Sequence, residues 1–385
     1  MDTPYPRIAK PPAKSFFLFG PRGTGKSTWA RERFPDAHRI DLLDEATYHG
    51  LLADPSLFAA RLRPLARGRW VVVDEIQRLP SLLNEVHRAI EERGLRFVLL
   101  GSSARKLKAA GTNLLAGRAR WKTMFPLVPA ELGTDFDLSR ALRFGTIALV
   151  WAADDPPATL EAYVHLYLRE EIKAEALVRN LPGFARFLPI AAVFHGQVVN
   201  VSNIARDAGT ARTTVVGYLD ILDDTLLTYR LGAFEARLRV RERKHPKLYW
   251  VDPGLVRAVK RQLGPVGHEE RGPLLEGWVL TLLRAHREEQ ALYDTIHYWS
   301  PAQARETEVD FLLERGGKYL AIEVKSAPRF SKRELNGLRA IADLRGVQRR
   351  VLVYGGSQVL ETDDGIEIWP VARLLEALAS DRLWP

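Results

Sequence analysis

The chain has 385 residues, which is more than one hydrophobic core usually organises and allows two to four domains. Its 46% hydrophobic and 27% charged residues exclude long disorder, and the absence of cysteine excludes a disulfide framework, a thiolate zinc site and a cysteine nucleophile. Lysine and arginine outnumber the acids by 56 to 47, a net charge of +9 that favours a polyanionic partner, although a solvated basic surface gives the same sum. The N-terminal MDTPYPRIAKPPAK leads into a short apolar run that ends in a glycine loop, so it does not read as a signal peptide. The longest apolar stretch, Thr146 to Ala153, falls short of the roughly 20 residues a membrane span needs. A cytoplasmic protein with no membrane association is expected.

The first predicted strand, SFFLFG, runs directly into PRGTGKSTWARERF, a glycine loop followed by a helix. This strand–loop–helix order is what a phosphate-binding P-loop requires. Gly20, Gly23 and Gly25 let the backbone of Gly20, Pro21, Arg22, Gly23, Thr24 and Gly25 turn its N–H groups toward phosphates, and the helix starting at Lys26, Ser27 and Thr28 presents its positive end. Lys26 is expected to reach the β and γ phosphates of ATP, and Ser27 to ligate Mg²⁺. The run WVVVDEIQRLP is then expected to be a parallel strand buried on both faces, with Asp74 in the Mg²⁺ shell and Glu75 polarising the attacking water. A third strand, RFVLLGSSARKL, ends at Ser102 and Ser103, one of which is expected to sense the γ-phosphate; Ser103 is the choice made here. Next comes LAGRARW, which resembles the place where AAA+ proteins keep an arginine that acts on a neighbouring subunit. Arg118 is expected in that role, with a surface arginine or a DNA contact as the competing reading.

After Pro129 the apolar spacing turns helical through Thr159 to Arg179, a helical lid, and Pro182 to Pro189 is expected to punctuate it. NVSNIARDAGTARTTVVGYLDILDDT then has the form of a helix-turn-helix: Ser202 caps a short helix, Gly209 turns, and a longer helix starts near Ala211. Arg212, Thr213 and Thr214 at its start would face DNA, although a packing module with no ligand shows the same helices. The following segment reads as two strands of a wing in which Arg237, Arg239, Arg241 and Arg243 alternate, one face of guanidinium groups for successive phosphates. A charged edge strand that blocks aggregation would alternate in the same way.

The last third opens with an amphipathic helix over Leu274 to Arg287 that carries Glu276, followed by strands HYWS, EVDFLLE and YLAIEVK, the last two joined by an RGGK hairpin. Val309, Phe311 and Leu313 point one way, and so do Leu320, Ile322 and Val324, which leaves Asp310, Glu323 and Lys325 free to converge opposite. Two carboxylates on adjacent strands suit a divalent metal, and a lysine beside them can position water or stabilise phosphate charge. With a helix over Lys332 to Leu344 and a strand over Arg350 to Tyr354, the order matches the PD-(D/E)XK nuclease core, in which Glu276 would be a further metal acid. A degenerate, binding-only copy and a solvated hairpin face are the alternatives.

Taken together, GPRGTGKS, VVVDEIQ, GSSARKL, LAGR, YLREEI, KLYWVD, PLLEGWV, EVDF and IEVKS resemble a family of prokaryotic AAA+ ATPases, over residues from about 15 to 335. In that family a P-loop domain precedes a winged helix and a nuclease-like fold long labelled as of unknown function. The resemblance implies an α/β multidomain protein: a P-loop AAA+ core with a parallel sheet over 1–132, a helical lid over 133–195, a winged helix over 196–264 and an α/β PD-(D/E)XK nuclease-like domain over 265–385. It implies ATP-driven work on DNA, duplex, single-stranded or branched, by a homo-oligomer such as a hexameric ring. The expected function is an ATP-dependent motor with a Mg²⁺-dependent nuclease. A nucleotide-controlled DNA-binding or defence switch without nuclease activity competes with it, and a protein remodeller comes third.

Overall fold

A computed structural model describes residues 5–103, 105, 107, 115, 117–168, 181–235, 245–301 and 307–385. Arg237, Arg239, Arg241 and Arg243 lie outside the described residues, as does most of the YLREEI motif.

The N-terminal third is built on five strands: β1 (Phe16–Phe19), β2 (His38–Asp41), β3 (Trp70–Asp74), β4 (Arg96–Gly101) and β5 (Arg120–Thr123). They form one parallel sheet in the order β2-β3-β4-β1-β5. Continuous apolar runs are required here because helices cover both faces. Phe16 and Leu18 pack with Val72, Val98 and Trp29, the last from α1 (Lys26–Arg33). Phe17 and Phe19 point the other way, toward α2 (Glu45–Ala53), α3 (Ser56–Leu62) and α4 (Leu82–Arg93), where Leu51, Phe58 and Val86 are buried. Each such side chain contributes roughly 1.5–3 kcal/mol by leaving water. Because neighbours in this sheet are parallel, the ends of β1, β3 and β4 lie side by side on its C-terminal edge, the place where open α/β sheets bind ligands.

The described residues between 138 and 193 are mainly helical: α5 (Leu138–Phe144), α6 (Pro156–Ala162), a wide turn over Tyr163–Leu168, and α7 (Leu181–Val193). The expected break at Pro182 to Pro189 is corrected, since both prolines lie inside α7. Pro182 falls in the first turn, whose N–H groups have no intrahelical acceptor, and only Pro189 removes a bond from the interior.

A short strand β6 (Gln197–Val198) leads into α8 (Val201–Asp207), a turn with Gly209 at φ +58°, α9 (Arg212–Asp224), β7 (Thr228–Leu231) and β8 (Lys247–Trp250). The three strands make an antiparallel sheet in the order β6-β8-β7. The cap of α8 is Asn200, not Ser202: its side chain accepts from the Asn203 N–H at 3.1 Å.

The rest comprises α10 (Pro253–Val259), α11 (His268–Gln290), β9 (Thr295–Trp299), β10 (Val309–Arg315), β11 (Lys318–Lys325), α12 (Asn336–Ala340), β12 (Val347–Tyr354), β13 (Leu360–Glu361), β14 (Glu367–Pro370) and α13 (Val371–Ala379). The sheet order is β13-β14-β12-β11-β10-β9, and Gly316 and Gly317, both at positive φ, close the β10–β11 hairpin. The helix expected from Leu274 begins at His268, since the Glu270 side chain caps the Gly267 N–H at 2.9 Å and so starts the helix ahead of Pro273. The helix expected over Lys332 to Leu344 is a short α12 flanked by 3-10 turns. A single apolar core runs from Phe125 through Phe187, Tyr218, Trp250 and Trp278 to Leu378, so the expected lid, helix-turn-helix and C-terminal sheet are packed as one continuous body.

His195 ties this body together. Its Nδ1 accepts from the Trp250 N–H at 3.0 Å, so its Nε2 must carry the proton that it donates to the Pro273 carbonyl, also at 3.0 Å. Burial holds its pKa down to about 4, which outweighs the Pro273 hydrogen bond. The unfolded chain takes up this proton near pH 6.5 and the folded chain only near 4. The stabilisation is therefore whole above 6.5 and lost between 6.5 and about 4. Nitrogen-detected NMR of the imidazole should show the Nε2–H tautomer at pH 7 and a midpoint near 4; a midpoint near 6.5 would contradict the buried geometry.

Candidate functional site

The loop between β1 and α1 has the curl that its glycines allow: Gly23 and Gly25 sit at φ +76° and +86°, and a Cβ on Gly20 would lie 2.4 Å from the Met124 carbonyl oxygen. Lys26 is buried, and its Nζ donates to the carbonyls of Gly20 at 2.8 Å and Pro21 at 3.0 Å. Thr24 is also buried and closes the turn on the Pro21 carbonyl at 2.8 Å, while Ser27 is half-buried and Thr28 exposed at the start of α1. The helical region holds the loop from behind. The Leu149 N–H donates to the Gly23 carbonyl at 2.9 Å and the Tyr163 hydroxyl to that of Arg22 at 2.9 Å. Arg7 donates to the Thr24 carbonyl at 3.2 Å.

Asp74 ends β3, and Glu75 follows it in the left-handed conformation at φ 54°, ψ 44°. That backbone is strained for a residue with a Cβ, and the Glu75 side chain is buried at the end of β3. There Gln77 donates to Glu75 Oε2 and, at 3.1 Å, to Ser102 Oγ. A Cβ on Gly101 would fall 2.5 Å from Gln77 Oε1, so glycine at the end of β4 is what admits this side chain. Gln77 escaped the sequence reading; a polar residue two positions after an acid pair carries no signal until β4 is laid beside β3. Ser103, the residue chosen from the sequence, is buried beside Ser102, and its Oγ accepts from the Arg105 N–H at 3.2 Å. Arg105 in turn pairs with Asp224, at the end of α9, at 2.9 Å. The donor set fits nucleotide and Mg²⁺: glycine N–H groups and Lys26 for phosphates, the Ser27 hydroxyl and Asp74 carboxylate for the ion. Arg118 lies on the opposite edge of the sheet, just ahead of β5, whose Arg120 pairs in register with Phe16, and it contacts Glu91 of the same chain. Arg212 and Thr213 are exposed, and Thr214 half-buried, at the start of α9.

The C-terminal sheet brings a second set together. Register places Asp310 opposite Glu323: the Asp310 N–H donates to Glu323 Oε2 at 3.2 Å, and the Val324 N–H to Asp310 Oδ2 at 2.9 Å. Lys325 contacts Glu323. Glu276 arrives from α11 and Glu308 from the residue before β10, so that carboxylate oxygens of Glu276, Glu308 and Asp310 lie within 4.8 Å of one another. Glu308 was missed in the sequence reading, although E-V-D at period two puts it on the same face as Asp310.

Lys247 was missed as well. Delivered by β8, its Nζ contacts Glu308 and lies 3.1 Å from Glu276 and 3.4 Å from Asp310, while the Tyr249 hydroxyl donates to Glu276. Burial, with Asp310 nearby, raises the Glu276 pKa to about 7 and pushes Glu323 well up. Burial acts the same way on Asp310, but Lys325 and Lys247 outweigh it and hold that carboxyl below the usual range. Burial would lower the Lys247 ammonium, yet the surrounding acids hold it well above its ordinary value. The oxygens have the chemistry for a divalent ion, but an ammonium stands among them. In this arrangement the cluster does not fit the metal expected from the sequence.

Among the described residues no helix is long and apolar enough to cross a membrane. Residues 136–265 and 271–374 match two domains of unknown function, DUF8612 and DUF4143. Uncharacterized proteins of Mycobacterium tuberculosis and Mycobacterium bovis are each 28% identical over 377 residues, covering 95% of this chain and 82% of their own length. Among solved structures, Aeropyrum pernix ORC1 in complex with DNA overlaps 66% of this chain and 87% of its own at 15% identity and a TM-score of 0.28. The initiator DnaA bound to AMPPCP and single-stranded DNA overlaps 55% and 82% at 15% identity and a TM-score of 0.26. Overlaps this weak carry nothing about function. Residues 12–133 match the family described as an AAA domain, and with the parallel sheet and P-loop geometry above, the N-terminal third of the chain is an AAA-type P-loop ATPase domain.

Proposed function

We propose that this chain is an ATP-dependent DNA-binding protein in which the nucleotide state of the P-loop sets how the helix-turn-helix region holds DNA. The observation that carries this reading is the Arg105–Asp224 ion pair, which joins the strand end beside Ser102 and Ser103 to the helix that opens with Arg212. In the proposed cycle the backbone N–H groups of the loop after Pro21, together with Lys26, would bind the phosphates, and Ser27 and Asp74 would hold the magnesium. That ion, when bound, offsets charge on the β and γ phosphate oxygens. Glu75 orients the attacking water, and Gln77 reports the Glu75 position to Ser102. Arg118, far from its own P-loop, would act on a neighbouring copy in a homo-oligomer. Arg212, Thr213 and Thr214, together with the alternating arginines from Arg237 to Arg243, would meet phosphates.

The motor-nuclease reading draws on Asp310, Glu323 and Lys325 sharing one sheet face. It is the second choice because of Lys247. Fluorescence anisotropy of labelled DNA with ATPγS, ADP or no nucleotide tests the coupling. Wild type should differ between nucleotide states by at least about 5-fold in affinity. Arg105→Ala should bind DNA and hydrolyse ATP but lose most of that difference. DNA affinity that ignores the nucleotide, with turnover that ignores DNA, would end this reading.

A further inference from the structure

We propose that Lys247 is the resident cation of the acidic cluster, and that Glu276, Glu308 and Asp310 form a divalent-metal site only once this ammonium is taken away. An ammonium has three N–H donors, and three carboxylates from three segments surround it: α11, the lead-in to β10, and β10 itself. Lys247 is only 3% exposed, so its charge is not shared with solvent. Its stem lies on the first residue of β8, and period two along that strand puts Tyr249 on the same side, where the hydroxyl satisfies Glu276. The Nζ also faces the Tyr298 ring at 5.4 Å, so aromatic and carboxylate groups together enclose it.

A divalent ion in this cluster would use the same oxygens. Ions of this class bind carboxylate oxygens at roughly 2.0–2.6 Å, so oxygens within 4.8 Å of one another can converge on one centre. That centre is where Nζ sits. Ion and ammonium would repel at close range in a poorly screened interior, and only one of them can be held. The acids moreover already have cationic partners within the chain, Lys247 for Glu276, Glu308 and Asp310 and Lys325 for Glu323. Lys247 thus does for the fold what a metal does elsewhere, cross-linking β8 to α11 and β10. The same contact silences the cluster toward metals.

The test needs neither nucleotide nor DNA, so its failure is separate from failure of the proposed function. Mn²⁺ is titrated into wild type, Asp310→Asn, Lys247→Met and Lys247→Met/Asp310→Asn, with free Mn²⁺ read by its EPR signal and folding by circular dichroism. Met keeps the apolar stem and removes the charge. Lys247→Met should gain one Mn²⁺ equivalent over wild type, and the double variant should lose it. Wild type and Asp310→Asn should bind Mn²⁺ alike. Wild-type Mn²⁺ binding that Asp310→Asn removes would overturn the proposal, and so would a folded Lys247→Met that takes up no additional ion. If Lys247→Met does not fold, Lys247→Gln serves in its place, and the wild type against Asp310→Asn comparison decides by itself whether the intact cluster holds a metal.

Discussion

Glu75→Gln is expected to bind ATP as wild type does and to hydrolyse it about 10²–10⁴-fold more slowly, the range seen when a positioned general base is removed. The substitution separates charge from placement. Glutamine has the same length, and an amide oxygen at this position can still accept from Gln77, so the bridge to Ser102 is retained while the negative charge is lost. The left-handed backbone at residue 75 is unchanged, because its strain belongs to any side chain with a Cβ. Lys26→Ala should behave differently. Its ammonium lies at the mouth of the loop beside the Gly20 and Pro21 carbonyls, where phosphate oxygens would compete for it, so both binding and turnover should fall. Phosphate release and equilibrium binding of a fluorescent ATP analogue separate the two variants. Turnover in Glu75→Gln within about tenfold of wild type would remove Glu75 from the role.

The P-loop fold of the N-terminal third was legible in the sequence because phosphate binding demands backbone rather than side chains. Glycines must stand where φ is positive, as Gly23 and Gly25 do, and buried parallel strands must be apolar throughout, as β1 and β3 are. The order of strands that places Glu75 beside Ser102 is a tertiary fact, so Gln77 was silent. The acidic cluster was half legible. Strand alternation gives Asp310 opposite Glu323 from the hairpin alone, since register follows from two glycines at the turn. Lys247 could not be read that way. A lysine opening a strand reads as a solvated edge, and its burial exists only because α11 and β10 close over β8. Helix ends were read least well for a related reason. Asn200 and Ser202 are both good caps by type, and what decides between them is which residue is the last to keep an extended backbone before the helix; that residue is Asn200, at φ −110° and ψ 93°.

Gly254→Ala is expected to destabilise the protein by about 3 kcal/mol or more, at the upper end for overpacking a filled site. A Cβ there would lie 1.9 Å from the Phe144 carbonyl oxygen and 2.7 Å from the Gly145 nitrogen. Both are backbone atoms, so no rotamer change relieves the clash and α10 must move off the end of α5. The neighbouring contacts cannot absorb that movement. Asp252, two residues earlier, accepts from the Thr146 N–H at 2.6 Å and the Leu255 N–H at 3.1 Å, and a Cβ on Gly145 would itself lie 1.7 Å from Asp252 Oδ1. From Thr146 the chain runs three residues to Leu149, whose N–H holds the Gly23 carbonyl of the P-loop. A shift of α10 should therefore weaken nucleotide binding as well as lower the melting temperature, although residue 254 is outside the P-loop itself. Gly50→Ala is the control. It lies within α2 with nothing near its would-be Cβ, so the same chemical change should stabilise by about 0.5–1 kcal/mol through helix propensity. Differential scanning calorimetry with and without ATP on both variants checks the pair. If Gly254→Ala melts as wild type does, the α5–α10 contact does not bear on the P-loop. If it melts lower yet keeps the full ATP-induced shift, the contact stabilises the fold without reaching the nucleotide.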